Sequence, residues 1–503
     1  MREIRLHDTR SGELVPLRPR DPGKVGIYAC GPTVYSRIHI GNARPFVVFS
    51  LLKRFLEHEG LETTLVINVT DVNDKIYAAA RADPDSPDPA RRQGRPSAEL
   101  AAEMTAHYRT DTDALGLGRP DHEPLASQTM GPIVEYIGTL IELGHAYASG
   151  GDVFFRVRSD AAYGSLSHRR IEDMDQGEDG ADADAAAQRK DDPLDFALWK
   201  AHKKDDEDTV WDPRELLPAT AARTEWAPGR PGWHIECSAM AEGLLGVEFD
   251  IHGGGSDLVF PHHENEAAQT RAARGAELAR IWMHNGMIQF TGEKMAKSVG
   301  NIALLHEVLG IPNEPGRHAA QTVVMYLISG HYRQPLAFSA AEIHDAERRV
   351  YRIREALRRL RGGEPSPADM AHHRDAFFAA LADDFNTPRA LAELFEWVRE
   401  ANRREAGAVG DADLREMLGV LGMGDMQPVG ASGGAGGVDP RAVRLRDERE
   451  RARASRNFER ADQLREEIRT LGWELRDRVG EPAELIPIWD TGGSAESAAG
   501  SQR

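Results

Sequence analysis

Apolar and polar positions alternate between two periods along this chain. Val25-Gly26-Ile27-Tyr28-Ala29 is a short unbroken apolar run and reads as a buried strand. Phe46 to Leu56 repeats apolar residues every three or four positions and reads as a helix. Between them, Cys30–Pro45 is a Gly/Pro-containing turn that carries a thiol, a histidine and an amide. A strand, a turn and a helix N-terminus in that order open the nucleotide-binding half of an α/β fold. Glu62–Thr70 reads as a second strand, ending in the polar cluster Asp71–Lys75, and open α/β sheets bind ligands at that edge. Residues 1–24 read as an edge strand and a Pro-rich loop, and 83–97 as a surface loop. Helical patterns continue to about residue 148, then Gly151–Val157 reads as a strand. A second αβ block spans about 225–310, and 345–425 is helical throughout. Asp/Ala/Gly-rich 175–192 reads as a mobile excursion and Gly430–Gly437 as a flexible linker. One or two helices follow at about 440–471, and the small, polar stretch from Gly492 is expected to be disordered.

Composition narrows the class. The 503 residues suggest roughly three domains of about 150 residues, and 41% hydrophobic residues can bury a sizeable core. No apolar run of about 18 residues is present, and Met1–Asp8 has charge but no apolar core of a signal peptide, so the expected location is cytoplasmic. The net charge of −19 argues against general nucleic-acid affinity but allows a local basic face. Arginines cluster from Arg348 to Arg361, and again from Arg441 to Arg478, where interspersed acids suit a solvated helix face. The two cysteines are Cys30 and Cys237, and a cytosolic location disfavours a disulfide between them.

Two constellations carry chemistry. Cys237 lies in Gly232–Met240, and Phe249–Asp257 is followed by Phe260-Pro261-His262-His263-Glu264-Asn265-Glu266. If Pro261 opens a helix, His262 and Glu266 share a face. Cys30, Cys237, His262 and Glu266 then form a plausible Zn²⁺ ligand set. His252 and His263 compete for the same place, and inert buried thiols or core histidines would fit these residues too. The second constellation begins with His39-Ile40-Gly41-Asn42 at a helix start, where side chains, free N–H groups and the dipole can meet phosphate. Gly41 leaves room for a nucleotide against the backbone. Gly292–Asn301 then holds Lys294 and Lys297 about a Met-Ala pair, in a loop that can bring two ammonium groups onto a triphosphate.

In that chain order, the two phosphate elements resemble the signatures of class I aminoacyl-tRNA synthetases. More narrowly, the chain resembles the cysteinyl-tRNA synthetase family. Cys30–Tyr35, Asp192–Lys200, Gly229–Met240, Phe249–Glu266, Gly330–Arg333, Asp383–Pro388 and Arg453–Arg465 carry the likeness, over about residues 2–475. The resemblance implies an α/β fold with a Rossmann-like catalytic domain on a parallel sheet. Its halves are expected at 1–130 and 225–310, interrupted by an insertion at 131–224. A stem-contact connector (311–345), a helical tRNA-binding domain (346–428), a linker (429–440), a small C-terminal anticodon-side domain (441–490) and a tail (491–503) would follow. It also implies a ligase that makes cysteinyl-adenylate from L-cysteine and ATP with Mg²⁺ and charges tRNA(Cys), as a monomer. One Zn²⁺ on Cys30, Cys237, His262 and Glu266 would bind the substrate thiolate. His39, Gly41, Asn42 and Lys297 would bind ATP, with Lys294 beside them, and Thr33 and Trp233 would contact substrate. Asn42 replaces the histidine usual in the class, and Ala296 a serine. Trp489 is followed by an acidic, small-residue tail where the family often has a basic one. A cysteine ligase acting on an amino-sugar would share the core but needs no helical region, and here about 160 residues follow position 340. A non-catalytic zinc-sensing or tRNA-binding relative would lose the histidine turn or the lysines.

Overall fold

The computed structural model describes residues 2–81, 94–174, 188–203, 208–217, 225–290, 293–294, 303–310, 317–429, 440–455, 457–470, 473–478 and 481–487. The expectations for 83–93, 175–187, 430–437, Lys297, Trp489 and the tail from Gly492 fall outside these residues. By contacts the chain divides into two units, Met1–Pro315 with Ala319–Met426, and Gly316–His318 with Gln427–Arg503.

The first unit opens with a hairpin, β1 (Arg5–Asp8) against β2 (Glu13–Pro16), where one edge strand and a loop were expected. The turn Thr9–Gly12 reverses the chain, with Gly12 at φ 73°. Next come β3 (Lys24–Ala29), α1 (Ile40–His58) and β4 (Glu62–Ile67), matching the strand–turn–helix pattern. The α/β expectation holds. β3 and β4 pair in parallel, as does β3 with β9 (Phe249–Gly255) and β9 with β10 (Ala279–Asn285). The order β10-β9-β3-β4 reverses direction between β3 and β9. A crevice opens beyond the carboxyl ends of strands at such a reversal.

Between the halves lies a separate antiparallel sheet, β5 (Ala146–Ser149), β6 (Asp152–Phe155), β7 (Phe196–Ala201) and β8 (Gly229–Pro231), in that order. Helical periodicity was expected up to residue 148, but Gly144 in the left-handed region ends the helix Met130–Glu142 and β5 follows. That helix shares a core with Phe155, Leu198 and Ile235. Beyond β10, β11 (Ile288–Phe290) pairs with β12 (Glu293–Lys294) and with β13 (Leu336–Phe338). The helical region is observed as Ala340–Arg359, Ala371–Ala382, Thr387–Arg403 and Ala412–Val420. Its apolar faces are continuous with α1: the Phe55 and Phe385 rings lie 6.3 Å apart, and His58 stacks on Phe378 at 4.0 Å. The second unit packs helices Pro440–Ala454 and Phe458–Thr470 with the hairpin β14 (Trp473–Arg478) and β15 (Glu481–Pro487), around Ile468, Leu475 and Leu485. That hairpin was not expected from the sequence.

Two buried polar hubs hold the first unit together. Arg44 on α1 is 1% exposed and donates to the carbonyls of Gly286 (2.6 Å), Gln334 (2.8 Å) and His331 (3.0 Å). Burial pulls its guanidinium down to about 10. Asp384, at φ 63°, accepts from Tyr332 Oη (2.7 Å), Arg333 Nε (2.8 Å) and the His7 amide (3.0 Å). Asp tolerates that left-handed backbone better than most residues. Arg44→Ala would orphan three carbonyls and is expected to lower stability by about 3 kcal/mol or more in urea unfolding. Arg44→Lys should recover only part, because an ammonium cannot reproduce the planar fork. A wild-type unfolding curve for Arg44→Ala would contradict this account.

Candidate metal centre and nucleotide cavity

Four elements place the metal candidates. β3 delivers Cys30 just beyond its last residue. Asn68 then locks the turn: the Gly31 amide donates to its Oδ1 at 2.9 Å, and a Cβ at Gly31 would stand 1.8 Å from its carbonyl oxygen. The expected strand 62–70 therefore leaves the sheet at Ile67, and Asn68–Thr70 run on beside Gly31 and Thr33. The helix Trp233–Leu245 carries Cys237; its partner helix Glu264–Arg274 continues a turn, Val259–His263, whose backbone is extended only at Phe260, so helical backbone starts at Pro261 as expected. His262 thereby reaches Glu266, Nε2 to Oε1 at 3.0 Å.

Cys30, Cys237, His262 and Glu266 are all buried, and their ligand atoms lie within 4.8 Å of one another. Cys30 Sγ is 3.8 Å from Cys237 Sγ and 3.6 Å from Glu266 Oε1. A tetrahedron with metal–sulfur bonds of about 2.3 Å and metal–oxygen bonds of about 2.1 Å has S–S and S–O edges of about 3.8 and 3.6 Å. The donor set therefore fits a tetrahedral, thiophilic divalent ion. A second set, Cys30, His252, His263 and Glu266, is equally close. Its two histidines serve better as outer partners of the first set. His252 Nε2 donates to Glu266 Oε2 at 2.8 Å, and His263 Nε2 faces Cys30 Sγ at 3.3 Å. His262 in turn is oriented by His234, Nδ1 to Nδ1 at 2.9 Å, and His263 Nδ1 by His284 Nε2 at 2.7 Å. Outer partners of this kind fix ring orientation and tautomer.

The electrostatics match a cluster built around charge. Burial pushes the Glu266 carboxyl up, but His252 and His262 outweigh it and hold it down to about 2. Burial pulls His262 down, yet Glu266 and Cys237 lift it to about 10. Burial, then neighbouring imidazoles, keeps His234 and His263 well below the usual histidine range, and burial takes His284 down to about 3. Of the two thiols, Cys30 is pushed up by burial, whereas the hydrogen bond from Cys30 holds Cys237 down to about 6.

Beside the cluster, a cavity of about 270 Å³ is lined by Cys30, Thr33, His39, Gly41, Asn42 and Trp233. His39 caps α1: its Nδ1 accepts from the Gly41 amide at 3.0 Å, and Asn42 Oδ1 accepts from the His39 amide at 3.2 Å. Gly41 is needed by this turn itself, since a Cβ there would stand 2.8 Å from the His39 ring. The turn is pinned to the segment beyond the lysine loop, with Ile40 N–H to Ala303 O and Leu305 N–H to Ile38 O both at 3.0 Å. Thr33 bridges Thr70, and the Trp233 ring lies 4.2 Å from that of His262. Of the lysines, Lys294 is placed by its backbone in β12, and Lys297 lies outside the described residues. Sequence reasoning passed over His234 and His284, whose only signal was their closeness to Cys237 and to β10's end. It also passed over Arg37, which lines the cavity, whereas Lys75, another lining residue, belongs to the polar cluster expected at the ligand-binding edge. Arg37 Nη2 is held by the buried carboxylate of Asp111 at 3.0 Å.

The likeness to known proteins agrees with this geometry. A family model described as "tRNA synthetases class I (C) catalytic domain" matches residues 16–348, and one for a DALR domain matches 376–423. Among solved structures, a Mycobacterium tuberculosis methionyl-tRNA synthetase in complex with methionyl-adenylate shares the fold (TM-score 0.54, 15% identity, 79% of this chain and 88% of that one). So does a LeuRS from Agrobacterium radiobacter K84, in a ternary complex with tRNA and LeuAMS (TM-score 0.57, 12% identity, 82% and 85%). Fold and family model together define a class I aminoacyl-tRNA synthetase. A "Cysteine--tRNA ligase" of Halorhodospira halophila is 40% identical, covering 94% of this chain and 97% of the relative. Another, of Symbiobacterium thermophilum, is 40% identical, covering 94% and 98%. The chain belongs to the cysteine-tRNA ligase family, a family of ligases. Among the described residues, no helix is long and apolar enough to cross a membrane.

The two donor sets make different demands. Cys237→Ser is expected to strip bound metal from the purified chain, while His263→Ala keeps most of it. Elemental analysis by mass spectrometry decides, and retention by the first with loss by the second would select the other set.

Proposed function

We propose that this chain activates L-cysteine with ATP and Mg²⁺ to cysteinyl-adenylate and transfers the cysteinyl group to the 3′ end of tRNA(Cys). Zn²⁺ on Cys30, Cys237, His262 and Glu266 selects the substrate's sulfur. One observation carries this: Cys30 and the turn His39–Asn42 line the same cavity, so the thiol site and the nucleotide turn face one space.

When bound, Zn²⁺ supplies a soft Lewis-acid position that prefers a thiolate to a hydroxyl. The need for it is physical, because an apolar pocket separates near-isosteres by only about 10–200-fold. Cys30, Cys237 and Glu266 supply the negative donors, His262 the neutral one, and His234 and His252 hold His262 and Glu266 in orientation. Trp233 and Thr33 wall the amino-acid side. His39, Gly41 and Asn42 seat the ATP at the start of α1, where the helix dipole favours phosphate. The substrate carboxylate attacks the α-phosphorus, and the bond to the departing pyrophosphate breaks. Lys294 and Lys297 neutralise the charge that pyrophosphate takes with it. A ribose hydroxyl of the terminal adenosine then attacks the carbonyl carbon, and AMP leaves. The helices from Ala340 to Val420 supply the additional surface that a tRNA requires and an amino-sugar does not.

Cysteine-dependent charging of tRNA(Cys) tests the activity directly. Chelating the metal, or Cys237→Ser, is expected to raise the KM for cysteine and to cut the preference for cysteine over serine by about 100-fold or more in ATP–pyrophosphate exchange. A metal-free enzyme that still rejects serine as well as the wild type would remove the metal from selection.

Lys297→Ala should slow adenylate formation about 10²–10³-fold while leaving the KM for cysteine little changed. Single-turnover kinetics read this, and a wild-type rate would end the assigned role.

A further inference from the structure

Among the described residues, Asn285 is the buried cavity-wall side chain with a donor and an acceptor both unpaired. Asn285 closes β10, lines the cavity and is 1% exposed, and neither its Oδ1 nor its Nδ2 makes a hydrogen bond. Burying an amide with both polar atoms unpaired is costly, so such a group in a cavity wall points to something that binds there.

The sheet shows which way it points. In the parallel register His284 stands opposite Gly254, and Asn285 opposite Gly255. Residues paired in register face the same side of a sheet, and successive residues face opposite sides. A Cβ at Gly254 would meet the His263 ring at 3.0 Å, and His284 itself bonds His263, so this side faces the metal cluster. A Cβ at Gly253 would stand 1.9 Å from Phe49 of α1, so the other side faces α1. Gly255 and Asn285 share the side of Gly253. Asn285 therefore points toward the helix whose first turn carries His39, Gly41 and Asn42. Arg44 fixes the spacing, bonding the carbonyl of Gly286, the next residue.

We infer that Asn285 reads the nucleobase of ATP, its Nδ2–H on a ring nitrogen and its Oδ1 on the exocyclic amine of adenine; this rests on the cavity being the ATP site. A phosphate offers acceptors alone and would leave Oδ1 opposed. An amide's donor and acceptor lie side by side and match an adenine edge in a bidentate pair.

The test is ATP–pyrophosphate exchange by the full-length, metal-loaded enzyme, with ATP and with purine riboside triphosphate, which lacks the amine. For Asn285→Ala, kcat/KM for ATP is expected to fall about 10- to 100-fold. The analogue keeps the ring nitrogen and lacks only the amine, so its value should fall less than that for ATP; the preference for ATP narrows while the KM for cysteine holds. The thermal midpoint of the ligand-free protein should not drop, because the variant deletes an unpaired amide. Should that variant fail to fold, Asn285→Leu serves, keeping nearly the same volume but lacking both polar atoms, and its preference for ATP should also fall. Equal losses with both nucleotides, or none with either, would overturn the inference. Asn42→Ala separates the two levels. If it weakens ATP while Asn285→Ala leaves base preference intact, the base contact alone fails. If it leaves the KM for ATP unchanged, the cavity is not the ATP site and both fail.

Discussion

Two thiols, an imidazole and a carboxylate meet at one point in this protein, all buried from water. Such a group of ionisable side chains is tolerable only if opposing charge or a metal compensates it. The surrounding structure follows from that demand. Four histidines pack around the donors, and three of them (His234, His252 and His263) hold one donor each. His284 holds His263, and Thr9 Oγ1 lies 2.7 Å from His284 Nδ1, so the network reaches the turn of the N-terminal hairpin. The hairpin that the sequence pattern showed only as an edge strand is thus tied to the centre.

The second constraint is the reversal of strand order between β3 and β9. It opens a crevice at the end of β3, and Cys30 is the residue that emerges there. The chain then needs only the length of one turn to reach the start of α1. Glycines keep the floor clear. At Gly253 a side chain would enter α1, and at Gly255 a Cβ would stand 2.4 Å from Asp257 Oδ1. Arg44 and Asp384 transmit the placement outward. Arg44 joins α1 to the loop His331–Gln334, and Asp384 joins that loop to the helical region and to His7.

Much of this was legible in the sequence, for reasons that differ by element. The strand at 24–29 and the helix from residue 40 stood out because their periods are unmixed and the turn between them is full of Gly and Pro. The ligand set could be written down because only two cysteines occur, both in Gly-containing stretches, and His262 and Glu266 are four apart. Local pattern could not choose between His262 and His263, since that depends on where the chain kinks before Glu264. The antiparallel sheet of the insertion and the hairpin 473–487 were missed or blurred for other reasons. The insertion's strands are short and partly fixed by pairing between distant segments, as Val153 with Trp199 illustrates, whereas the hairpin strands mix charged and apolar residues without strict alternation. Gly41 was assigned to nucleotide access, yet its immediate cause is the His39 ring folding back over it, a contact visible only in three dimensions.

The alternation of β10 ties these threads together. His284 and Asn285 are neighbours in sequence, but the pleat sends one to the metal cluster and the other toward α1. β3 does the same over a longer span, with Cys30 at its end and His39 across the turn. A reaction between an amino acid and a nucleotide requires both to be held at fixed separation, and positioning of that kind is a large part of what a catalyst of acyl activation can supply. Here the separation is not set by a flexible loop. It is set by the thickness and register of a four-stranded parallel sheet, whose glycines remove the side chains that would otherwise fill the gap.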